Sequence, residues 1–284
     1  MEPGYVLDDR YVIEALVGKG GHGKVYRALD RDLSCPVAIK VLYGDVAAER
    51  EFRVRMKREA RAMGQLSGTS AVQIMAFNKT AWGALYIVME YLDGSDLNEH
   101  CAQAEQAGRT LALAEVVDIL DPIAGTLQAA HERGIIHRDV KGGNVFVMKS
   151  AVRGRSRLLD FGLAKDISLD PLTRTGIIAG SPAYIAPEAW TGRPKPIDHR
   201  VDVYSFGVLL FRVLTGRLPF DASVPIDQLL RAVTRDARPS LHALRPDLSP
   251  AIDDWVKKTL AIDREERFFN VATMWRDFVQ VVGV

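Results

Sequence analysis

The feature that most constrains this chain is a change of pattern at Asp93-Gly94. Before it, apolar residues come in short β-rich runs; after it, they recur at helical spacing. Tyr11–Val17 is mostly apolar and ends in Gly18, Val25–Leu29 follows a glycine cluster, and Asp30-Arg31-Asp32 marks a turn before Pro36–Tyr43. Val72–Phe77 and Ala84–Tyr91 read as further strands, with Asn78–Gly83 as a hairpin loop. One helix, from about Val46 to Leu66, interrupts them. Beyond the break, Leu113–Arg133 reads as a helix closed by Gly134, with His131 and Arg133 punctuating its last turn. Asp202–Thr215 is apolar on nearly every face and stops at Gly216, the pattern of a central buried helix. Helices are also expected at about Asp227–Arg235, Ala251–Leu260 and Val271–Val281. Strands followed by helices, without alternation, predict an α+β architecture and argue against a doubly wound parallel sheet. The expectation is a strand-rich lobe over residues 10–92 and a helix-rich lobe over residues 93–284, with a cleft between them.

Composition narrows the function. The chain has 284 residues, 48% of them apolar, enough for a full core in one large domain or two lobes. Its 37 basic and 36 acidic residues leave a net charge of +1, so no whole-chain field draws in nucleic acid or an anionic membrane. Cys35 and Cys101 are too few for a disulfide framework, and no Cys/His cluster suggests a metal site. The N-terminus is acidic and broken by Pro3-Gly4, unlike a signal peptide. The greasiest run, Val203–Phe211, is far shorter than the roughly 20 residues of a spanning helix. The expectation is a soluble cytoplasmic chain with no nucleic-acid partner and no membrane segment; anchoring through regions outside this sequence stays open.

Four segments carry chemistry. Gly18-Lys19-Gly20-Gly21-His22-Gly23-Lys24-Val25 joins two strands, whereas a dinucleotide fingerprint would open a helix. Glycines there let backbone approach phosphate oxygens, although a plain turn fits the same residues. Val37-Ala38-Ile39-Lys40 puts a lysine in an apolar strand, either pointing to solvent or paired. Glu59 bears on that choice, because it falls inside the helical stripe Phe52, Met56, Met63, Leu66. A carboxylate there is desolvated unless paired, and Lys40 is the obvious partner; snorkelling to water is the alternative. Finally, His137-Arg138-Asp139-Val140-Lys141-Gly142-Gly143-Asn144 follows Ile135-Ile136, Asp160-Phe161-Gly162 follows Leu158-Leu159, and Ala186-Pro187-Glu188 comes later.

Together, in this order, these segments match the signature set of protein kinases. Over roughly residues 10–283 the chain resembles a eukaryotic-like (bacterial receptor-type) serine/threonine protein kinase catalytic domain. That resemblance implies a bilobal fold, with a small antiparallel sheet and one helix in the first lobe, a mainly helical second lobe, and ATP bound in the cleft. The glycine loop, with Gly18, Gly20 and Gly23, would cover the ATP phosphates, and Lys40, held by Glu59, would contact them. Asn144 and Asp160 would hold Mg²⁺, with Mn²⁺ as a substitute. Asp139 would take or orient the substrate hydroxyl proton, and Lys141 would neutralise charge on the transferring phosphoryl. Adenine would sit between Leu16, Val25 and Ala38 above and Phe146 below, with Met89 at the back and Glu90, Tyr91 and Leu92 as the hinge. Most of these apolar positions also serve the core.

Lys141, two positions after Asp139, resembles the serine/threonine version of the loop. Arg138 beside Asp139 implies control by activation-loop phosphorylation, at Thr173 and Thr175, possible in trans within a homodimer. Ser181 would support substrate docking. Glu188 and Arg267 match the family's buried ion pair, and Asp202 the helix-start brace of the catalytic loop. Two positions depart from the family pattern: the extra Gly21 would loosen the phosphate loop, and Pro182 after Ser181 would restrict docking. Two alternatives are a catalytically inactive kinase-fold scaffold, which would be expected to lack Lys40, Asp139 or Asp160, and a small-molecule phosphotransferase. The long loop before Ala186-Pro187-Glu188 argues against the second.

Overall fold

The computed structural model describes residues 1–20, 23–43, 63–161, 182–190 and 197–284. The chain divides into two compact units, Met1–Asp93 and Gly94–Val284.

The first unit is a six-stranded antiparallel sheet. In chain order its strands are β1 (Val6–Leu7), β2 (Tyr11–Gly20), β3 (Gly23–Asp30), β4 (Cys35–Leu42), β5 (Ile74–Lys79) and β6 (Leu85–Glu90), and in space they run β1-β2-β3-β4-β6-β5. Successive side chains of a strand point to opposite faces. Tyr26, Ala28, Val37, Ile39 and Val88 therefore gather on one face, where they join Leu7, Tyr11, Ile13 and Tyr86 in a buried cluster. The expected turn after β3 is held by Asp30, which accepts from the backbone N–H of Asp32 (3.0 Å) and Leu33 (3.3 Å). Arg10 forks onto the same carboxylate at 2.9 and 2.7 Å and holds it below the usual carboxylate range. The β5–β6 hairpin turns over Thr80–Gly83, two residues later than its expected start, with Gly83 at φ 95°. At the tip of β2–β3, Gly23 runs so close to β4 that a methyl there would overlap the Val41 carbonyl.

Of the helix expected over residues 46–66, only the end is described: residues 63–64 are helical, and Met63 and Leu66 are buried. Phe52, Met56 and Glu59 lie outside the described residues.

The second unit opens with a three-stranded sheet of β7 (Gly94–Asp96), β8 (Val145–Met148) and β9 (Ser156–Leu158), in that order. Its helices among the described residues are α1 (Leu97–Gln106), α2 (Leu113–Glu132), α3 (Pro187–Trp190), α4 (Arg200–Thr215), α5 (Ile226–Arg235), α6 (Ile252–Thr259) and α7 (Val271–Val282). Gly134 after α2 and Gly216 after α4 both adopt left-handed φ, 70° and 72°. Helix α4 starts two residues earlier than its apolar pattern, at Arg200, whose backbone N–H donates to Asp198 Oδ1 at 2.9 Å. Every residue from Arg200 to Phe211 is buried. Against this central rod, α6 comes close enough that a methyl on Gly207 would strike Thr259 and stand 3.2 Å from Leu260 Cδ2.

Helix α1 and the small sheet have no counterpart in the sequence expectations. LNEHCAQAEQ has little apolar periodicity beyond Leu97, Cys101 and Ala104, yet Asp96 caps it by accepting from the N–H groups of Asn98 (2.9 Å) and Glu99 (3.1 Å). No helix among the described residues is long and apolar enough to cross a membrane.

Candidate active site

In the first unit, the strand register decides which side chains share a surface. Lys40 stands opposite Val25 on β3 and Ile87 on β6, and Ala38 stands opposite Met89. Directly paired residues in antiparallel strands project to the same face, and so do residues two apart. Val25, Ala38, Lys40 and Met89 therefore share the face opposite the buried cluster. Gly18 pairs with Val25 and Gly20 with Gly23, with a bulge between Leu16 and Gly18. Leu16 is 53% exposed, an apolar side chain left uncovered inside a strand. Glu90, Tyr91 and Leu92 lie just before the end of the unit at Asp93, and the Glu90 carboxylate accepts the Gln73 backbone N–H at 2.9 Å. The expected Lys40–Glu59 pair falls outside the described residues, as do Gly162, Thr173, Thr175 and Ser181.

In the second unit, the loop between α2 and β8 is built on one buried carboxylate. Asp202, in the first turn of α4, is 0% exposed and accepts three N–H groups: His131 Nε2 (2.7 Å), the His137 backbone (2.8 Å) and the Arg138 backbone (2.7 Å). Burial pushes its pKa up. The His131 bond, the nearby imidazoles and the backbone N–H outweigh that and hold it below the usual range. These bonds fix Arg138 at φ 63°, a left-handed conformation that arginine rarely adopts, with its side chain exposed. His131 has no feature in the sequence to separate this role from a simple helix end.

His137 is fully buried, and its protonation follows from geometry. The Asp139 backbone N–H donates to Nδ1 at 3.2 Å, so Nδ1 is the acceptor and Nε2 carries the proton, donated to the Leu159 carbonyl at 2.9 Å. Burial pushes the imidazole pKa down, in keeping with a neutral ring. The folded state thus binds fewer protons than the unfolded chain below about pH 6.5. Stability should fall as pH drops through that value toward the lower folded pKa, by up to about 1.4 kcal/mol per pH unit. In His137→Phe this part of the slope in urea unfolding between pH 7 and 5 should vanish; an unchanged slope would place the titration elsewhere.

The chemistry-bearing groups meet at Asp139. Its Oδ2 accepts from Lys141 Nζ at 2.9 Å and from Asn144 Nδ2 at 3.0 Å, and the same amide nitrogen donates to the Asp139 carbonyl at 2.7 Å. Asn144 is delivered by a tight turn, Gly142–Asn144, that leads into β8. Its carbonyl accepts the Leu159 N–H at 2.8 Å, which pins the segment just before Asp160 beside it. Asp160 sits at φ 47°, a second non-glycine residue held left-handed. Phe161 is buried with its ring 4.6 Å from that of His137. Phe146, on β8, is half-buried and stands opposite Arg157 and Asp96. Farther along, Arg267 is buried and forks onto Glu188 at 2.7 and 2.6 Å, while its Nε donates to the Ala261 carbonyl at 2.8 Å.

Comparison with known proteins agrees with this arrangement. A family model described as the protein kinase domain matches residues 11–278. The chain is 40% identical over 224 residues to serine/threonine-protein kinase pkn2 of Myxococcus xanthus, covering 78% of the chain and 26% of that protein. It is 32% identical over 281 residues to the probable serine/threonine-protein kinase PknB of Corynebacterium glutamicum, covering 96% of the chain and 42% of that protein. The chain thus spans less than half the length of both of these relatives. The solved kinase domain of Mycobacterium tuberculosis PknI superposes with a TM-score of 0.79 at 28% identity, covering 100% of both chains. A strand-rich unit with its glycine hairpin and lysine strand, a helical unit with its Asp139–Lys141–Asn144 cluster, and a family match over nearly the whole length lead to one conclusion: the chain belongs to the protein kinase family, alongside bacterial serine/threonine kinases.

Proposed function

We propose that this chain is the catalytic domain of a serine/threonine protein kinase that moves the γ-phosphoryl group of ATP onto Ser or Thr hydroxyls of protein substrates. The observation that carries the reading is the convergence of Lys141 and Asn144 on one oxygen of Asp139. In phosphoryl transfer the protein has little covalent work, so positioning and charge placement dominate. The substrate oxygen forms its bond to phosphorus as the bond to the ADP oxygen breaks, and the hydroxyl proton passes to Asp139. Lys141, already tethered to that carboxylate, is placed to meet charge on the moving group. Lys40, on the face shared by Val25, Ala38 and Met89, would contact the nucleotide phosphates, with Glu59 as its partner. The adenine would lie on Leu16, Val25 and Ala38, with Phe146 beneath and the backbone of Glu90 and Leu92 as hinge; Gly18, Gly20 and Gly23 would cover the phosphates.

The residues present suit a hard divalent cation. The nitrogen of the Asn144 amide is committed to Asp139, which leaves its oxygen as the ligand atom, and Asp160 follows the residue hydrogen-bonded to Asn144. Asn144 and Asp160 would hold Mg²⁺, or Mn²⁺ in its place. When bound, the ion neutralises phosphate charge.

Arg138 is exposed and makes no ion pair among the described residues, which suits it to bind a phosphorylated Thr173 or Thr175. Autophosphorylation in trans within a homodimer, docking of substrate near Ser181 and a cytoplasmic setting complete the proposal. The inactive-scaffold reading has less support, since Lys40, Asp139 and Asp160 are all present.

Incubation of the 284-residue chain with Mg-ATP and a generic basic protein, followed by mass spectrometry, tests the transfer reaction and the assignment of Thr173 and Thr175. Phosphoserine and phosphothreonine should appear on the substrate and on Thr173 or Thr175, without phosphotyrosine. Absence of any incorporation would overturn the reading; incorporation elsewhere on the chain would overturn only the assignment of Thr173 and Thr175.

A further inference from the structure

The turn that delivers Asn144 begins with two glycines, and the first is not there for its backbone. Gly142 is absent from the glycines of left-handed φ, and Lys141 before it is extended, with φ −163° and ψ 166°. That backbone does not demand glycine. What bars a side chain is a neighbour. A methyl on Gly142 would overlap Asn98 Oδ1 and stand 2.9 Å from Asn98 Cγ, and one on Gly143 would lie 3.5 Å from Asn98 Nδ2. Asn98 is the second residue of α1, fixed there by the Asp96 cap on its backbone N–H. Its own amide makes no hydrogen bond among the described residues, so its contact with the turn is one of shape.

Consecutive glycines leave a turn with the greatest backbone freedom. This one is otherwise closed by the Asn144 N–H on the Lys141 carbonyl (3.0 Å) and the Val145 N–H on the Gly142 carbonyl. Any drift of the turn moves the Asn144 amide relative to both Asp139 oxygens it reaches. We infer that Asn98 is a positioning residue for phosphoryl transfer, filling from α1 the volume that Gly142 leaves empty and so holding Asn144 against Asp139. The inference rests on the kinase reading for its catalytic consequence, but the coupling of the two positions is purely geometric.

Asn98→Ala should lower kcat about fivefold with the KM for ATP changed less than about twofold, since binding contacts on the first unit are untouched. Gly142→Ala, which forces Asn98 aside, should do the same. The double variant, which moves the volume from one side of the contact to the other, should recover to within about twofold of the parent. Asn98 is exposed, so the melting temperature should hardly move in Asn98→Ala. Amide hydrogen exchange gives a readout independent of catalysis: Asn144 and Val145 should exchange faster in each single variant and return to the parental rate in the double. Losses that multiply in the double, or exchange unchanged in both singles, would overturn the assignment. An inactive parent showing the exchange pattern would sink the kinase reading while supporting the coupling.

Discussion

Asp139→Asn is expected to lower kcat by about 10²–10⁴-fold while leaving the KM for ATP nearly unchanged. The substitution keeps the size of the side chain and an oxygen for Lys141 and Asn144, which now sit 2.9 and 3.0 Å from Oδ2. What it removes is the negative charge and with it the group proposed to take the hydroxyl proton. Lys141 also loses its counter-ion, so its ammonium is less firmly placed. Transfer of labelled γ-phosphate to a basic protein measures the rate, and nucleotide binding measured separately shows that the fold is retained. Phosphate incorporation at the parental rate in Asp139→Asn would remove Asp139 from the chemistry.

The second large effect is on stability. Asp202→Asn should destabilise the second unit by about 3–5 kcal/mol in urea unfolding, because a fully buried acceptor of three N–H groups is replaced by an amide with one oxygen. The amide nitrogen, being a donor, would face one of those N–H groups with no acceptor between them. Because the Asp202 carboxyl titrates below its ordinary range, its stabilisation is complete above about pH 4 and is lost as pH falls through the lower folded value. Asp202→Asn should therefore also be less sensitive to acid than the parent. Loss of Arg138's left-handed backbone would follow, and turnover should fall with stability. A stability change below about 1 kcal/mol would mean that the three bonds are replaceable by water.

Much of the architecture was readable because it follows from local rules. Gly134 and Gly216 end helices where left-handed φ is needed, and Asp30 turns the chain through its own side chain. The apolar character of Asp202–Thr215 on nearly every face marked α4 as central. Helix α1 was not readable, since its stability comes from the Asp96 cap and three buried small or medium residues rather than from a strong apolar stripe. The short sheet β7–β8–β9 was hidden for a similar reason: strands of three and four residues carry no period to count. At the site, the spacing of Asp139, Lys141 and Asn144 was visible, but the third bond from His131 to Asp202 spans 71 positions and has no local signature. The contact of Asn98 with Gly142 was equally invisible, because it joins a helix start to a turn 44 positions away.

The burial of α4 on every side also governs how the molecule has to be handled. A rod buried along its whole length from Arg200 to Phe211 cannot rest half-assembled in water, so it has to be enclosed by its neighbours in one cooperative step. Deleting the C-terminal helices α6 and α7 would not yield a smaller working fragment; it would leave a greasy cylinder that self-associates. Removing α6 and α7 is accordingly a route to precipitate, and any minimal version of this domain has to keep both.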